Sequence, residues 1–245
     1  MATGPSTASL SRMLVRASCR VVLRAVGVRT GVRAAGPVPA GLLIANHFGW
    51  IDIVSLLAHV DCAFIAKREV AGWPIIGWAA RRVGVIFIDR TRKRDLLRAI
   101  PAVTAALRAG RRVLLFPEGT TGDGTALLPF KSALVEAAVQ ARVPVVPIAV
   151  TGRTRSTDAG ALCWIGEETL LANVPRVVAL RDARVTIHVG TPLAVGPCRK
   201  LLTHRARQAI ASMTGGSALR GERPGTLDPT GAPSLSVLAT GHGGR

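Results

Sequence analysis

Short apolar runs alternate with segments of helical periodicity along most of the chain. The apolar runs are rich in Val, Ile and Leu and are bounded by Gly, Pro or charged residues, as is typical of buried strands. They lie at Leu42–Ala45, Cys62–Ala66, Val83–Ile88, Val113–Phe116, Val145–Val150 and Val185–Val189. Helical periodicity marks Ile51–Val60, Arg94–Ala109, Lys131–Ala141 and Arg199–Met213. The alternation predicts an α/β fold, with one domain built on a mixed, largely parallel sheet flanked by helices.

The N-terminal segment has a different pattern. Between Leu10 and Val28, arginines recur at every fourth position, along one stripe of a helix, and aliphatic residues fill much of the remaining surface. These arginines are Arg12, Arg16, Arg20 and Arg24. Such a helix can lie in the headgroup layer of a bilayer with its arginines on anionic lipid. Two alternatives stay open: an ordinary docked helix with a basic outer face, or an Arg-rich targeting peptide that is later removed.

These patterns divide the chain into three parts. Residues 1–38 form a basic amphipathic membrane-docking segment, and residues 39–214 form the α/β domain. Beyond Thr214 the chain is dominated by Gly, Pro, Ser and Thr without periodicity, which predicts a flexible tail over residues 215–245. No uncharged apolar run reaches the length of about 18 residues that a transmembrane helix needs.

Composition narrows the choice of partner. Of the 245 residues, 49% are hydrophobic, which excludes a fully disordered protein, and the net charge of +18 favours an anionic membrane surface or a phosphorylated substrate. Aromatic residues make up 4% and Tyr is absent, so a base-stacking surface is poorly supplied and we expect no nucleic acid partner. The four cysteines are too scattered for a zinc site or a disulfide scaffold, and no cofactor or metal is expected.

A histidine and an aspartate follow the first predicted strand. His47 lies just beyond the strand end, where ligands gather in open α/β sheets, and Asp52 follows five residues later. The imidazole suits proton transfer near neutral pH, and the aspartate can hold its other nitrogen. Because the chain has no Gly-x-Ser-x-Gly motif, such a pair would activate a hydroxyl that belongs to the substrate. The alternative is a pair that only caps the following helix.

Other polar residues also end predicted strands. Arg90 presents a planar fork that suits phosphate, or it forms a surface ion pair with its neighbouring aspartate. In the segment that contains Glu118, Gly119 and Thr120, glycine allows a close backbone approach, and hydroxyls and amides can bind an anion. Glu118 can accept a hydrogen bond from a substrate hydroxyl or be a solvated turn residue. Lys67 either adds charge near the site or is solvated.

Four motifs occur in order along the chain. Asn-His-x4-Asp lies at 46–52, Gly-Val-x-Phe-x-Asp-Arg at 84–90, Phe-Pro-Glu-Gly-Thr at 116–120 and Val-Pro-Val-x-Pro at 143–147. In order and spacing they resemble the four blocks of the glycerolipid acyltransferases, of the lysophosphatidate acyltransferase type. The resemblance extends over residues 40–195. It implies an enzyme that moves an acyl group from acyl-CoA or acyl-acyl carrier protein to a lysophospholipid hydroxyl.

The resemblance also implies roles for individual residues. His47 would be the general base and Asp52 would orient it, with no acyl-enzyme intermediate. Arg90 would bind phosphate, and Glu118 and Gly119 would bind the acceptor. Beside these, Thr120 and Lys67 are candidates for acceptor binding, and Trp50 and Pro147 for contacts with the acyl donor or other hydrophobic groups. Since one substrate resides in the bilayer, we expect a peripheral membrane protein on the cytoplasmic face.

One departure leaves the acceptor lipid open. Ser132 follows Phe130-Lys131 where many phosphatidate-forming members have Gly. Together with the segment 162–166, this region is closer to members that acylate lyso-ornithine lipid. The acceptor is therefore 1-acylglycerol 3-phosphate or, alternatively, lyso-ornithine lipid. From another class, the alternative is a non-catalytic basic module that binds lipid or nucleic acid.

Overall fold

The computed structural model describes residues 7–73, 77–78, 80–81, 84–89, 93–156, 159–166, 168–180 and 182–221. The strands are β1 (Arg29–Arg33), β2 (Gly41–Ala45), β3 (Ala63–Lys67), β4 (Ile86–Ile88), β5 (Arg112–Leu115), β6 (Val145–Thr154), β7 (Arg184–Val189) and β8 (Leu219–Gly221). The helices are α1 (Thr7–Ala25), α2 (Trp50–His59), α3 (Lys93–Arg108), α4 (Glu136–Ala141), α5 (Leu170–Ala179) and α6 (Arg199–Thr214). Short 3₁₀ turns cover Arg68–Gly72, Ala133–Val135 and Ala159–Leu162.

The strands form a single sheet in the order β1-β7-β6-β2-β5-β3-β4, and β8 pairs with the end of β6. Pairing is parallel throughout except between β6 and β7, which are antiparallel. This confirms the predicted α/β fold with a mixed, largely parallel sheet. The carboxyl ends of β2, β3, β5 and β6 therefore lie along the same edge of the sheet.

Apolar side chains from both faces of the sheet build two cores. One core contains Leu43, Val146 and Ile187 and packs against α1, α2 and α5. The other contains Leu42 and Val145 and packs against α3, α4 and α6. Strands buried on both faces read as continuous aliphatic runs, which is why the central strands were predictable from the sequence.

Three elements were not predicted. β1 and β8 lie at the margins of the sheet, and α5 contains Pro175. β8 corrects the predicted tail, because residues 219–221 pair with β6; residues 222–245 lie outside the described part of the chain. The predicted helix over 131–141 is shorter, consisting of a 3₁₀ turn followed by α4. The predicted helix over Arg94–Ala109 is confirmed as α3, and Pro101 lies inside it, beyond the first turn.

Pro147 lies on β6, an interior strand between β2 and β7. The ladder is irregular there: Gly190 N donates to Pro147 O at 2.9 Å, Val145 pairs with Leu193, and regular pairing begins at Ile148. The missing proline N–H is therefore tolerated at a bulge and not at a sheet edge. Pro147 is buried on the face of the sheet that α6 covers.

Three of the four arginines of α1 contact the C-terminal end of α2, which argues against the alternative of a basic outer face, and Arg24 is exposed. Arg16 and Arg20 donate to the carbonyls of His59 and Ala58 at 3.3 and 3.1 Å, and Arg12 pairs with Asp61 at 3.3 Å. The outer face of α1 is instead apolar, with exposed Leu10, Met13, Leu14 and Val21. Within the described ranges, no helix has the length and apolar character needed to cross a bilayer.

Candidate active site

The loop after β2 carries the histidine of the first motif. The Asn46 side chain extends the β2–β6 ladder, because its amide donates to Val150 O at 2.9 Å and its carbonyl accepts from Val150 N at 2.8 Å. Gly122 N donates to His47 O at 2.9 Å from the loop after β5. The histidine is thus held at the carboxyl edge of the parallel strands, where ligand sites form in open α/β sheets.

Asp52 organises this loop from the first turn of α2. Its carboxylate is fully buried, and Oδ2 accepts from Phe48 N at 2.8 Å and Gly49 N at 3.0 Å. Both carboxylate oxygens lie 3.0 Å from His47 Nδ1. Because a carboxylate that already accepts from backbone donors serves as an acceptor, Nδ1 carries the proton. The unprotonated nitrogen of the neutral ring is then Nε2.

The His47 ring also packs on Phe116, with ring centroids 4.1 Å apart and planes inclined by 20°. Its side chain is 10% exposed and lines a cavity of about 240 Å³. Since the two neighbours fix the ring, and Nδ1 faces Asp52, Nε2 is the nitrogen available to a molecule in that cavity. The arrangement is that of a general base with an oriented tautomer.

The wall of this cavity is almost entirely apolar. It is lined by His47, Trp50, Ile53, Val54, Phe64, Ile65, Ala66, Lys67, Val70, Trp73, Phe116, Trp164 and Leu170. None of these described residues is a serine, threonine or cysteine, so the wall supplies no side-chain nucleophile of those types. A cavity of this composition suits an aliphatic chain, with Lys67 as its cationic group.

A buried polar network holds two tryptophans of this wall. Trp50 Nε1 donates to Asn173 Oδ1 at 2.7 Å, and Asn173, which is fully buried on α5, donates to Cys163 O at 2.7 Å and Glu168 Oε2 at 3.0 Å. Trp164 Nε1 donates to Glu168 O at 2.6 Å. Neither Asn173 nor the place of Trp164 in the wall was predicted, because no sequence motif relates these residues to Trp50, more than 100 positions earlier. The hydrogen bond between Trp50 and Asn173 forms only because the fold brings α2 and α5 together.

Glu118 lies behind His47 and is 4% exposed. Its Oε1 accepts from His47 N at 3.2 Å, and a backbone bond from Leu128 also reaches the carboxyl. Burial raises the pKa of Glu118 to about 7, with a smaller contribution from Asp52, while the backbone bonds and Arg207 act in the opposite direction. Glu118 therefore connects the loop after β5 to the loop after β2 that carries His47.

We expect the free energy of unfolding of Glu118→Gln, relative to that of the wild type, to be higher at pH 8 than at pH 5. With a folded pKa of about 7 against an ordinary 4.5, Glu118 favours folding in its protonated form, and that advantage is lost as the pH rises from 4.5 to 7. Gln retains an acceptor and carries no charge. Urea unfolding at both pH values should show the variant gaining up to about 3 kcal/mol over the wild type between them.

Glu69→Gln is the matched control for that prediction. Glu69 is 61% exposed and pairs with Lys67 at 3.3 Å, so its replacement should change stability little at either pH. Equal pH dependence of Glu118→Gln and the wild type would contradict the buried position of the Glu118 carboxyl.

The other predicted site residues fall in different places. Gly119, with φ of +76°, lies against Lys131, and both line a second, smaller cavity that shares Phe116 with the first. Thr120 is exposed beside it, and Lys67 stands at the rim of the first cavity. Pro147 lies on the opposite face of the sheet and does not contribute to that cavity. Arg90 lies outside the described residues.

Within the described ranges, no three His, Cys, Asp or Glu side chains form a group that could hold a metal ion.

Known proteins with similar sequences match the part of the chain that carries the site. The family model "Acyltransferase" matches residues 30–151, which include β2, the His47–Asp52 pair and the Glu118 loop. The chain is 34% identical to the lyso-ornithine lipid O-acyltransferase of Pseudomonas aeruginosa over 192 residues, covering 76% of this chain and 73% of that protein. It is 39% identical to the 1-acyl-sn-glycerol-3-phosphate acyltransferase of Neisseria meningitidis over 126 residues, covering 51% and 49%.

A solved structure shares the fold. The 1-acyl-sn-glycerophosphate acyltransferase PlsC from Thermotoga maritima superposes with a TM-score of 0.60 at 19% identity, covering 83% of this chain and 79% of that one. At that identity the likeness concerns the fold alone. Family assignment rests on the lyso-ornithine lipid O-acyltransferase relatives from Pseudomonas aeruginosa and Rhodobacter capsulatus, of which the chain covers 73% and 74%. The chain belongs to the glycerolipid acyltransferase family and is an acyltransferase of the glycerolipid and lysolipid type.

Proposed function

We propose that this protein transfers a fatty acyl group from acyl-CoA or acyl-acyl carrier protein to the free hydroxyl of 1-acylglycerol 3-phosphate, forming phosphatidic acid. The observation that carries the proposal is the His47–Asp52 pair at an apolar cavity whose wall has no Ser, Thr or Cys among its described residues. A base without a protein nucleophile requires that the substrate bring the hydroxyl.

The proposed reaction proceeds in one displacement. The hydroxyl proton passes to His47 Nε2 while the oxygen attacks the thioester carbonyl, and Asp52 stabilises the imidazolium that forms. Collapse of the tetrahedral intermediate breaks the carbon–sulfur bond. The departing thiolate takes the proton from Nε2, which restores the neutral ring and leaves an ester and a free thiol.

Several features of the site support a lipid substrate. The cavity beside His47 is apolar and is closed on one side by Trp50 and Trp164, so an acyl chain in it would exclude water from the reacting atoms. Lys67 at the rim, and Lys131 beside Gly119, place positive charge where an anionic headgroup would emerge. We also propose Arg90 as a phosphate ligand, on the motif alone.

Lyso-ornithine lipid is the second candidate acceptor. Relatives named as lyso-ornithine lipid O-acyltransferases, from Pseudomonas aeruginosa and Rhodobacter capsulatus, match 76% and 80% of this chain. The named glycerophosphate acyltransferase relatives match about half of it. Ser132 and the segment 162–166 favour the same alternative. Both acceptors offer a hydroxyl to the same base, so the chemistry does not depend on the choice.

We expect purified protein to release free thiol from acyl-CoA in the presence of 1-acylglycerol 3-phosphate and to release little without an acceptor. A thiol reagent measures the rate, and mass spectrometry identifies the product lipid. Parallel reactions with lyso-ornithine lipid, and with acyl-acyl carrier protein as donor, separate the alternatives. Faster turnover of lyso-ornithine lipid would transfer the proposal to that acceptor. No product with either acceptor or donor would support the non-catalytic lipid-binding module.

We also propose that α1 docks the enzyme peripherally on the cytoplasmic face of the membrane. Leu10, Met13, Leu14 and Val21 form an exposed apolar face, which a water-soluble helix has no reason to present. The opposite side of α1 packs on α2 through the core residue Leu23. Since α2 also lines the cavity, the docking face and the cavity lie on the same side of the sheet.

We expect the double variant Met13→Gln/Leu14→Gln to partition onto anionic vesicles at least about 10-fold more weakly than the wild type. Each side chain is about 60% exposed, and burying an aliphatic side chain contributes about 1.5 kcal/mol or more. Co-sedimentation with vesicles measures the effect. The matched control is Leu97→Gln/Leu201→Gln, whose side chains are about half exposed on α3 and α6, on the other face of the sheet. Equal losses in the two variants would refute docking through α1.

A further inference from the structure

Three arginines stand side by side on the face of the sheet opposite α1. Arg29 on β1 is the register partner of Arg184 on β7, and Arg184 is the register partner of Arg153 on β6. Val185, Ile187 and Val150 point into the core on the α1 side, so these arginines point to the other face. All three are exposed.

The neighbouring rows are also polar. Arg33 pairs in register with His188, and Thr186 pairs with Thr151. The Thr151 hydroxyl lies 3.1 Å from His188 Nε2 and donates to Thr186 O at 3.4 Å. Burial and the nearby Arg33 lower the pKa of His188, which agrees with a dense positive field at this place. These rows, with Arg29, Arg184, Arg153, Arg33 and His188, form a cationic face of the sheet.

Such a row is unfavourable without a ligand. Residues opposite each other on adjacent strands have Cβ atoms about 5 Å apart, and like charges at that position destabilise a sheet. No carboxylate lines the adjoining cavity among the described residues. The nearby Asp182 accepts from Thr154 Oγ1 and Arg155 N, and Thr154 lies on the other face of β6. The charge of the row is therefore not neutralised within the described part of the fold.

A cavity of about 280 Å³ lies over this face. Arg33, Arg153, His188 and the two threonines form its floor, and Thr214 at the end of α6 and the following Ser217 form a side wall. Of the three-arginine row, Arg153 lines the cavity, and Arg184 and Arg29 extend the positive charge beyond it. α6 packs on β6, where Leu202, Ala206 and Ile210 face Val145 and Ala149, and its last turn borders the cavity. Guanidinium groups bind phosphate oxygens through two parallel N–H donors each.

The position of the cationic face indicates whether its ligand is a lipid headgroup or a soluble phosphate compound. The apolar face of α1 and the cationic face lie on opposite sides of the sheet, and a flat bilayer cannot contact both. We propose that the cationic face binds a soluble ligand that carries two or more phosphate groups, at a site separate from the His47 cavity. The three-arginine row and Arg33 match a ligand of that charge. This site does not depend on the transferase reaction.

The test is a calorimetric titration of the full chain with pyrophosphate at moderate salt, followed by thermal unfolding. We expect saturable binding to the wild type, at least 10-fold weaker binding to Arg29→Gln/Arg153→Gln/Arg184→Gln, and a pyrophosphate-dependent rise in Tm in the wild type only. Without ligand, the triple variant should unfold at the same or a higher temperature, because the like-charge row is gone. That result also shows that the variant is folded.

The matched control is Arg98→Gln/Arg142→Gln/Arg205→Gln, which removes the same charge from exposed positions elsewhere. It should bind pyrophosphate within about two-fold of the wild type. Equal weakening in both triple variants would show that only net charge matters and would overturn the site, as would the absence of saturable binding. Loss of vesicle sedimentation in the Arg29/Arg153/Arg184 variant but not in the control would assign the face to a membrane and also overturn the proposal.

Discussion

Replacing His47 by Ala should lower kcat by about 100-fold or more while the protein stays folded, because the reaction loses its base and its later acid at once. His47 is 10% exposed and stacks on Phe116, so part of its ring also packs. The rate of thiol release with saturating acceptor measures the loss. KM for the acyl donor should change far less than kcat, since both proposed proton transfers occur during the reaction and not during donor binding.

The matched control for His47→Ala is His59→Ala. His59 ends α2, and its Nε2 lies 2.8 Å from Thr30 Oγ1, remote from the cavity wall. Its replacement should leave kcat within about two-fold. His47→Gln tests the alternative that the ring only packs, because Gln fills similar space without a base near neutral pH. Near-wild-type turnover of folded His47→Gln would refute general-base catalysis by this residue.

The sequence predicted those elements whose side chains follow one period. α2, α3 and α6 and the central strands were placed within a few residues, because each buries a continuous or periodic apolar face. β1 was missed since its residues Arg29–Arg33 are polar on the face that carries the arginine row. The strand propensity of such residues is low, so they predict a loop, but hydrogen bonds to β7 hold them in a strand.

The Arg stripe of α1 shows what a helical period cannot decide. Spacing of four places the arginines on one side of the helix, but it does not say whether that side meets water, lipid or protein. Arg12 forms an ion pair with Asp61, and Arg16 and Arg20 donate hydrogen bonds to backbone carbonyls at the end of α2. The last turn of a helix leaves carbonyls without internal partners, and cations there are favoured. The apolar side was therefore left outside.

The candidate site was predictable only where its residues lie close in sequence. His47 and Asp52 are five positions apart, so a strand end followed by a helix start brings them together. Phe116, Trp164 and Asn173 come to the same place from distant segments, through the order of strands and the packing of α5. Glu118 was expected at the acceptor, and the structure places it beneath His47, where it bonds the backbone.

Asp52→Asn should lower kcat by about 100-fold or more for a reason that differs from the loss of His47. Phe48 N and Gly49 N both donate to Oδ2, so the Asn oxygen must occupy that position to satisfy them. The Asn NH₂ then faces His47 Nδ1 as a donor. The imidazole must accept there, its proton moves to Nε2, and the nitrogen that should take the substrate proton is blocked.

Two comparisons separate this tautomer effect from misfolding. Asp52→Asn keeps the two backbone bonds and should lose little stability, whereas Asp52→Ala leaves both buried N–H groups unpaired and should lose about 1–3 kcal/mol per group. NMR of the His47 ring nitrogens should show the proton on Nδ1 in the wild type and on Nε2 in Asp52→Asn. If turnover of Asp52→Asn is unchanged and the His47 proton is still on Nδ1, then Phe116 and the loop after β2 alone orient the ring. In that case Asp52 would be only the cap of α2, the alternative that its position in the sequence left open.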